Sequence, residues 1–109
     1  MFERIRKVMR EKIRKNEYIM TTHAEEEMND DDLTIYDVES CMLNGKIIER
    51  ERDNETGEWK YCLNGETLSG DTIEVIAKIS PTGTLVIITV YMGLLTKALK
   101  ERERYSNDM

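Results

Sequence analysis

The sequence contains one histidine, His23, within the segment TTHAEEEMNDDDLT at residues 21–34. An imidazole can accept or donate a proton near neutral pH, which makes His23 a candidate general acid or base. Glu27 follows four residues later, so a helix would place it on the same face as His23. The acids of this segment leave three interpretations open: proton transfer by His23, a metal site, or the ordinary composition of a helix N-terminus.

The metal interpretation is the weakest of the three. No second histidine is present, and Cys41 and Cys62 do not form a CxxC pair, so a transition-metal ligand set is incomplete. The aspartates at 30–32 lack the alternating spacing and the glycine of a calcium loop. Acids at helix N-termini are explained by capping and by the helix dipole. The sequence therefore predicts no metal site and no cofactor, and it predicts that both thiols are buried and reduced.

A third group of candidate residues lies in the C-terminal half, where basic side chains alternate along predicted strands. Arg50 and Arg52 share one face of their strand, and Lys60 and Lys78 lie on the two strands that follow. If the hairpins pair in simple register, these four cations converge on one face of the sheet and form a patch for a phosphate group. Solvated charges on the outer face of the sheet are the alternative interpretation.

Three helices are predicted in the N-terminal half. Apolar residues recur at helical spacing over residues 1–16, with basic residues on the opposite face. Thr22 begins a short acidic helix through a T-x-x-E capping box. Thr34 begins the next helix, which ends at Asn44-Gly45.

The apolar period changes to two after residue 45, which indicates strands. The segments KIIERER, EWKYCL, TIEVIAKI and TLVIITVY are predicted strands, and EYIMTT is a shorter one before them. TLVIITVY is apolar on both faces and is therefore expected to be central in the sheet. Together these elements predict a single α+β domain over residues 1–92, with N-terminal helices packed on a mainly antiparallel sheet of four to five strands. Residues 93–109 are predicted to form a C-terminal helical extension or a tail.

Charge is distributed unevenly along the chain. The net charge of −6 argues against a general nucleic-acid coat protein, because phosphate binding relies on Lys and Arg. Yet residues 1–16 contain seven basic and two acidic residues, whereas residues 23–39 contain eight acids and no Lys or Arg. The protein is therefore expected to be electrically dipolar. No apolar run approaches the ~20 residues that span a membrane, and a cytoplasmic location is expected.

The segments YIMTTHAEEEM, LTIYDVE, NGKIIER and LVIITVY, in this order, resemble a family of short toxin-like proteins in the RelE/MqsR-like superfamily. These relatives are often encoded beside a zinc-finger antitoxin of the YgiT (MqsA-like) type. The resemblance covers residues 18–91, and T-x-H-A-x-x-x-M and I-I-T-V-Y are its most specific parts. It implies the α+β fold of the bacterial mRNA interferases, an antitoxin protein as partner, no membrane association, and RNA as a substrate; a homodimer is compatible with it.

The resemblance also implies how the site works. In such proteins the ribose 2′-hydroxyl attacks the adjacent phosphodiester without a metal, while side chains relay protons and stabilise the charged transition state. The residues that it places in the site are His23, Lys60 and Tyr91 as catalytic residues, and Arg50 and Lys78 as RNA- or phosphate-binding residues. The strand pattern adds Arg52 to the RNA- or phosphate-binding group.

The chain departs from its relatives at two positions beside the histidine. Many relatives have arginine where this chain has Glu27 and Asp31. Carboxylates repel phosphate, so the sequence leaves a second function open, that of a catalytically silent module that binds an antitoxin or another protein.

Overall fold

The computed structural model describes residues 1–93, and the predicted C-terminal extension lies outside the described residues from residue 94 onward. The elements are α1 (Glu3–Arg14), β1 (Tyr18–Met20), α2 (Thr22–Asp30), α3 (Ile35–Asn44), β2 (Lys46–Arg52), β3 (Trp59–Glu66), β4 (Thr72–Ile79) and β5 (Leu85–Met92). The predicted α+β class is confirmed. Within residues 1–93, no helix combines the length and the apolar character needed to cross a membrane.

The five strands form one mixed sheet in the order β1-β5-β4-β3-β2. Strands β2 to β5 follow one another as antiparallel neighbours, and β1 pairs with β5 in parallel. Strand β5 therefore has a neighbour on each side, which confirms its predicted central position. Its side chains on the face that packs against the helices, Leu85, Ile87 and Val90, are fully buried, whereas Val86 and Ile88 are half-buried.

The helices pack on one face of the sheet, which we call the helix face, and the opposite side is called the open face. Alternate residues of β3, β4 and β5 point to the helix face because side chains in a strand alternate. The fully buried side chains there include Met9, Val38, Met42, Leu63, Ile73, Val75, Leu85, Ile87 and Val90. Each large apolar side chain buried in this way contributes about 1.5–3 kcal/mol relative to leaving it in water.

The helix starts follow from threonine caps. Thr34 begins α3, as predicted, and forms a capping box, since its Oγ1 accepts from the Asp37 N–H at 3.3 Å and Asp37 Oδ2 accepts from the Thr34 N–H at 2.9 Å. The cap of α2 is Thr21, whose Oγ1 accepts from the Ala24 N–H at 3.1 Å. The prediction that Thr22 caps α2 is therefore wrong by one residue, because the hydroxyl of Thr21 also donates to β5 and holds the helix start there.

Two bulges interrupt the regular alternation of the sheet. In β2 the pairing shifts between Ile47 and Glu49, which leaves Ile48 without a partner and 52% exposed. In β5 the pairing shifts around Ile88, so that Ile87 and Val90, three residues apart, are both buried on the helix face. A bulge adds one residue to one strand and reverses which face the following residues occupy.

The end of α3 approaches β3 so closely that only glycine fits. A Cβ atom on Gly45 would lie 2.5 Å from the Cys41 carbonyl oxygen and 2.8 Å from that of Asn64. A Cβ atom on Gly65 would lie 2.7 Å from the same Cys41 oxygen. These backbone contacts fix where β2 leaves α3, and hence where the β2–β3 hairpin lies.

Candidate functional site

Helix α2 covers the part of the β5 edge that β1 is too short to pair. The Thr21 hydroxyl donates to the Ile88 carbonyl at 2.9 Å, and the Val90 N–H donates to Glu27 Oε1 at 3.2 Å. Buried backbone groups of a strand must find partners, and here side chains at the start and in the middle of α2 provide them. The sequence marks Glu27 as the helical neighbour of His23 and as a charge that repels phosphate; the structure shows that its carboxylate also holds α2 to β5.

The same carboxylate holds His23. His23 Nε2 lies 3.0 Å from Glu27 Oε1, and the imidazole is 65% exposed while the Glu27 side chain is 25% exposed. When Nε2–H donates to the carboxylate, Nδ1 is the nitrogen that accepts a proton. An imidazole oriented by a fixed carboxylate is an arrangement suited to general acid–base chemistry.

Tyr91 lies on the open face and belongs to a different group of side chains. It stands directly opposite Glu74 on β4. The pKa of the Tyr91 phenol is raised far above its usual value. The main cause is its hydrogen bond to the Glu74 carboxylate, and the second is burial. Asn64 Nδ2 lies 3.5 Å from Glu74 Oε1 in the same group. Tyr91 therefore keeps its proton over the neutral range, as a hydrogen-bond donor to Glu74.

The four strand cations do not share a face, so the prediction that they converge is wrong. Arg50 stands opposite Tyr61 on the helix side of the hairpin, whereas Lys60 stands opposite Glu51 on the open side. In simple register Arg50 would have faced Lys60. The bulge at Ile48 shifts β2 by one residue against β3 and moves both arginines to the other face.

The two lysines lie on the open face among carboxylates. Lys78 Nζ lies 2.7 Å from Glu58 Oε2, and this contact lowers the pKa of the Glu58 carboxyl. Lys60 lines a pocket together with Glu49 and Glu51, and Arg50 reaches the rim of the same pocket. The positive charge of these lysines is therefore largely offset by neighbouring acids.

The two arginines lie over the face of an aromatic ring. The guanidinium carbon of Arg50 is 4.0 Å from the Trp59 ring centroid, and that of Arg52 is 5.2 Å away. Both distances are within the range of a cation–π interaction. The sequence identified the arginines as candidates but did not predict their contact with Trp59. The segments ERER and EWKY pair in one hairpin, and the bulge in β2 places the arginines on the same face as Trp59.

The two cysteines are free and buried, as predicted. Burial raises the pKa of the Cys41 thiol to about 12 and that of Cys62 to about 11. Both thiols therefore remain protonated near neutral pH and are poor nucleophiles. Over residues 1–93, no three His, Cys, Asp or Glu side chains come together in a way that would hold a metal ion.

The model of DUF4258, a domain of unknown function, matches residues 20–92. That match covers most of the chain. The chain belongs to the DUF4258 family. Comparison with curated proteins and with solved structures gave no match. The segment shared with DUF4258 begins directly before the Thr21 cap and ends with β5, so it includes both the His23–Glu27 pair and the β2–β3 hairpin, whereas α1 precedes it.

Proposed function

We propose that this DUF4258 protein is the toxin of a cytoplasmic type II toxin–antitoxin pair, paired with a zinc-finger antitoxin, and that it cleaves mRNA without a metal. The observation that carries the proposal is the exposed imidazole of His23, which is held at 3.0 Å by a carboxylate that the β5 backbone fixes in turn. The order of the sequence motifs, which resembles that of the RelE/MqsR-like toxins, supports the same reaction.

The reaction assigned to His23 is abstraction of the ribose 2′-hydroxyl proton by Nδ1. The 2′-oxygen then attacks the adjacent phosphorus and the bond from phosphorus to the 5′-oxygen breaks, which leaves a 2′,3′-cyclic phosphate. The 5′-oxygen takes its proton from water, and the imidazolium of His23 returns the abstracted proton to solvent. Glu27 Oε1 contacts Nε2 at 3.0 Å and so orients the imidazole for this proton transfer. The backbone N–H groups in the first turn of α2 provide partial positive charge beside the phosphate.

RNA cleavage in the presence of a chelator tests this proposal. General acid–base catalysis typically contributes ~10²–10⁴ in rate, so we expect His23→Ala to lose at least about a hundredfold. Glu27→Gln keeps an acceptor for Val90 but removes the charge beside His23, and it is expected to be slower than wild type. Glu26→Gln is the matched control, because Glu26 is an exposed carboxylate on the same helix. Equal cleavage by all four proteins, or by none, would contradict the proposal.

A second function is favoured by the positions of the basic side chains of the sheet, which do not gather around His23. Lys60 and Lys78 lie on the open face among acids, and Arg50 lies on the hairpin, so the basic side chains expected to surround His23 are elsewhere. This arrangement suits a catalytically silent module that docks an antitoxin or another protein. The module predicts a stoichiometric complex with the protein encoded next to it and no growth arrest on expression. Growth arrest that this neighbour relieves would contradict it.

A further inference from the structure

A shallow aromatic pocket lies where α1 crosses the beginning of β3 and the end of β4. Its lining consists of Ile5, Glu58, Trp59, Tyr61, Ile79 and Pro81. Phe2, at the start of α1, packs edge-on against Tyr61 with ring centroids 6.1 Å apart and keeps that ring in place. The pocket thus combines two flat rings with aliphatic walls, at a solvent-exposed end of the sheet.

Two guanidinium groups border this pocket through Trp59. Arg50 and Arg52 are exposed and lie over the Trp59 ring, and Arg52 Nε donates to the Gly57 carbonyl at 3.1 Å. In the part of the chain that the structure describes, neither guanidinium has a carboxylate within ion-pair distance. Their charge is therefore available to an anion.

The neighbouring acids do not form ion pairs with the two arginines. Glu49 and Glu51 stand opposite Cys62 and Lys60 on the open face of the hairpin, where they line a pocket with Lys60 and Arg50. Glu58 lines the pocket but is paired with Lys78 at 2.7 Å. The local charge beside Trp59 is thus positive, although the protein as a whole is acidic.

We infer that this surface binds single-stranded RNA, with a base in the aromatic pocket and the flanking phosphates on Arg50 and Arg52. Unstacked bases bind on aromatic side chains and guanidinium planes, and arginine provides paired donors for phosphate oxygens. A duplex keeps its bases stacked and cannot place one in the pocket. The inference rests on the proposed function only in naming RNA as the ligand.

The RNA surface is separate from His23. Val90, whose N–H donates to Glu27, pairs with Val75 on β4, and Val75 pairs with Leu63 on β3. Trp59 lies four residues before Leu63 on the same strand. At strand spacings of about 4.8 Å and about 3.3 Å per residue, the backbones of Val90 and Trp59 are roughly 16 Å apart. The surface therefore holds the RNA at a distance from the phosphate that reacts at His23. Arg50 thus positions the RNA and takes no part in the reaction itself.

The fluorescence of Trp59 tests this directly, because it is the only tryptophan of the chain. The probe is a short single-stranded RNA with 2′-O-methyl riboses, which cannot be cleaved through the 2′-hydroxyl. We expect saturable quenching, and a Kd about tenfold higher for Arg50→Gln, as for the loss of a hydrogen bond to a charged group. The slope of log Kd against log salt should fall by roughly 0.7 for each phosphate contact removed.

Lys46→Gln is the matched control, because it removes the same charge from the open side of the same strand. Its Kd is expected to stay within about twofold of wild type, since it loses only a distant screened charge. Trp59→Phe, followed by the anisotropy of a labelled RNA, is expected to bind more weakly than wild type. Equal affinity of Arg50→Gln and wild type, equal binding of duplex RNA, or tighter binding of an acidic peptide would each overturn the inference.

The two proposals fail separately. If the wild type quenches on RNA but does not cleave it, the RNA surface stands and the nuclease proposal falls. If RNA is cleaved and Arg50→Gln binds and cleaves like wild type, the nuclease proposal stands and the RNA surface falls. Binding by His23→Ala at wild-type affinity, with cleavage lost, would support both.

Discussion

Two junctions hold the helices of this protein to its sheet, and they are built differently. At the α2–β5 junction, Thr21 and Glu27 make side-chain hydrogen bonds to backbone groups of β5. At the α3–β3 junction, the backbone at Gly45 and Gly65 lies against the Cys41 carbonyl with no room for a side chain. The first junction positions His23, and the second positions the hairpin that carries Arg50 and Trp59.

The difference determines what each junction tolerates. A hydrogen-bonding side chain can be replaced by an isostere that keeps the acceptor, so the α2–β5 junction can be altered in charge while its shape is kept. A close backbone contact has no isostere larger than glycine. Substitutions at the α3–β3 junction should therefore be strongly destabilising, whereas substitutions at the α2–β5 junction can separate stability from activity.

Gly45→Ala is expected to have the largest effect on stability. The new Cβ would meet two carbonyl oxygens at 2.5 and 2.8 Å, both on the backbone, so that α3 or β3 must move. We expect a loss of about 3 kcal/mol or more in the free energy of unfolding, measured by urea denaturation.

The control for Gly45→Ala is Gly57→Ala, which separates contact from conformation. Gly57 has a φ of 74° and nothing within 4 Å of its Cβ position, so alanine there costs only the left-handed conformation, about 1–2 kcal/mol. Gly45 has a φ of −77°, which any residue adopts. If the two variants lose equal stability, the close backbone contact at Gly45 is not the reason why Gly45→Ala is destabilising.

Glu27→Ala should have the next largest effect. It removes the acceptor of the Val90 N–H and leaves that group unsatisfied beside the buried core, at a cost of about 1–3 kcal/mol. Glu27→Gln keeps a carbonyl oxygen in the same place and is expected to lose less than about 1 kcal/mol by the same measurement. Equal destabilisation of both variants would mean that the charge, and not the acceptor, holds α2 to β5.

Thr21→Val is expected to cost about 1–2 kcal/mol, because valine has the shape of threonine but cannot cap the helix. The variant loses the bond from the Ala24 N–H and the bond to the Ile88 carbonyl. Thr21→Ser keeps the hydroxyl and should lie closer to wild type in thermal unfolding. A valine variant as stable as wild type would show that water replaces both bonds.

The sequence predicts these junctions only in part. The threonine cap at Thr34, the stop at Asn44-Gly45 and the limits of β2 and β4 follow from local patterns, because capping and alternation depend on residues within one turn or one pleat. The end of β3 was predicted at Leu63, but the strand continues to Glu66 because residues 64–66 pair with β4, and EYIMTT contributes only Tyr18–Met20. The cap of α2 was predicted one residue late, since its position is set by Ile88, far along the chain.

The candidate site was less predictable than the fold because it depends on register. The bulge at Ile48 has no clear signal in KIIERER, yet it decides whether Arg50 faces Lys60 or Tyr61. Likewise, the contact of Glu27 with Val90 joins residues 63 positions apart, and no local pattern encodes it. His23 itself was found from its residue type alone, and its partner Glu27 from helical spacing.

The smallest expected effect concerns pH and the ion pair beside the hairpin. Lys78 lowers the pKa of the Glu58 carboxyl below the ordinary glutamate value of about 4.3. A lowered carboxyl pKa in the folded state stabilises the protein above the unfolded value, and this stabilisation is lost as pH falls through the folded value. The melting temperature of wild type should therefore fall more steeply between pH 7 and about pH 3 than that of Lys78→Met.

This difference should be small, because both side chains are partly exposed and water screens the pair. Glu58→Gln provides the control: it removes the titrating group, so its melting curve should show the same shallow pH dependence as Lys78→Met. Parallel curves for all three proteins would show that the pair adds nothing to stability at this end of the sheet. The open-face lysine would then not neutralise Glu58, and the positive field beside Trp59 would be weaker than its contacts indicate.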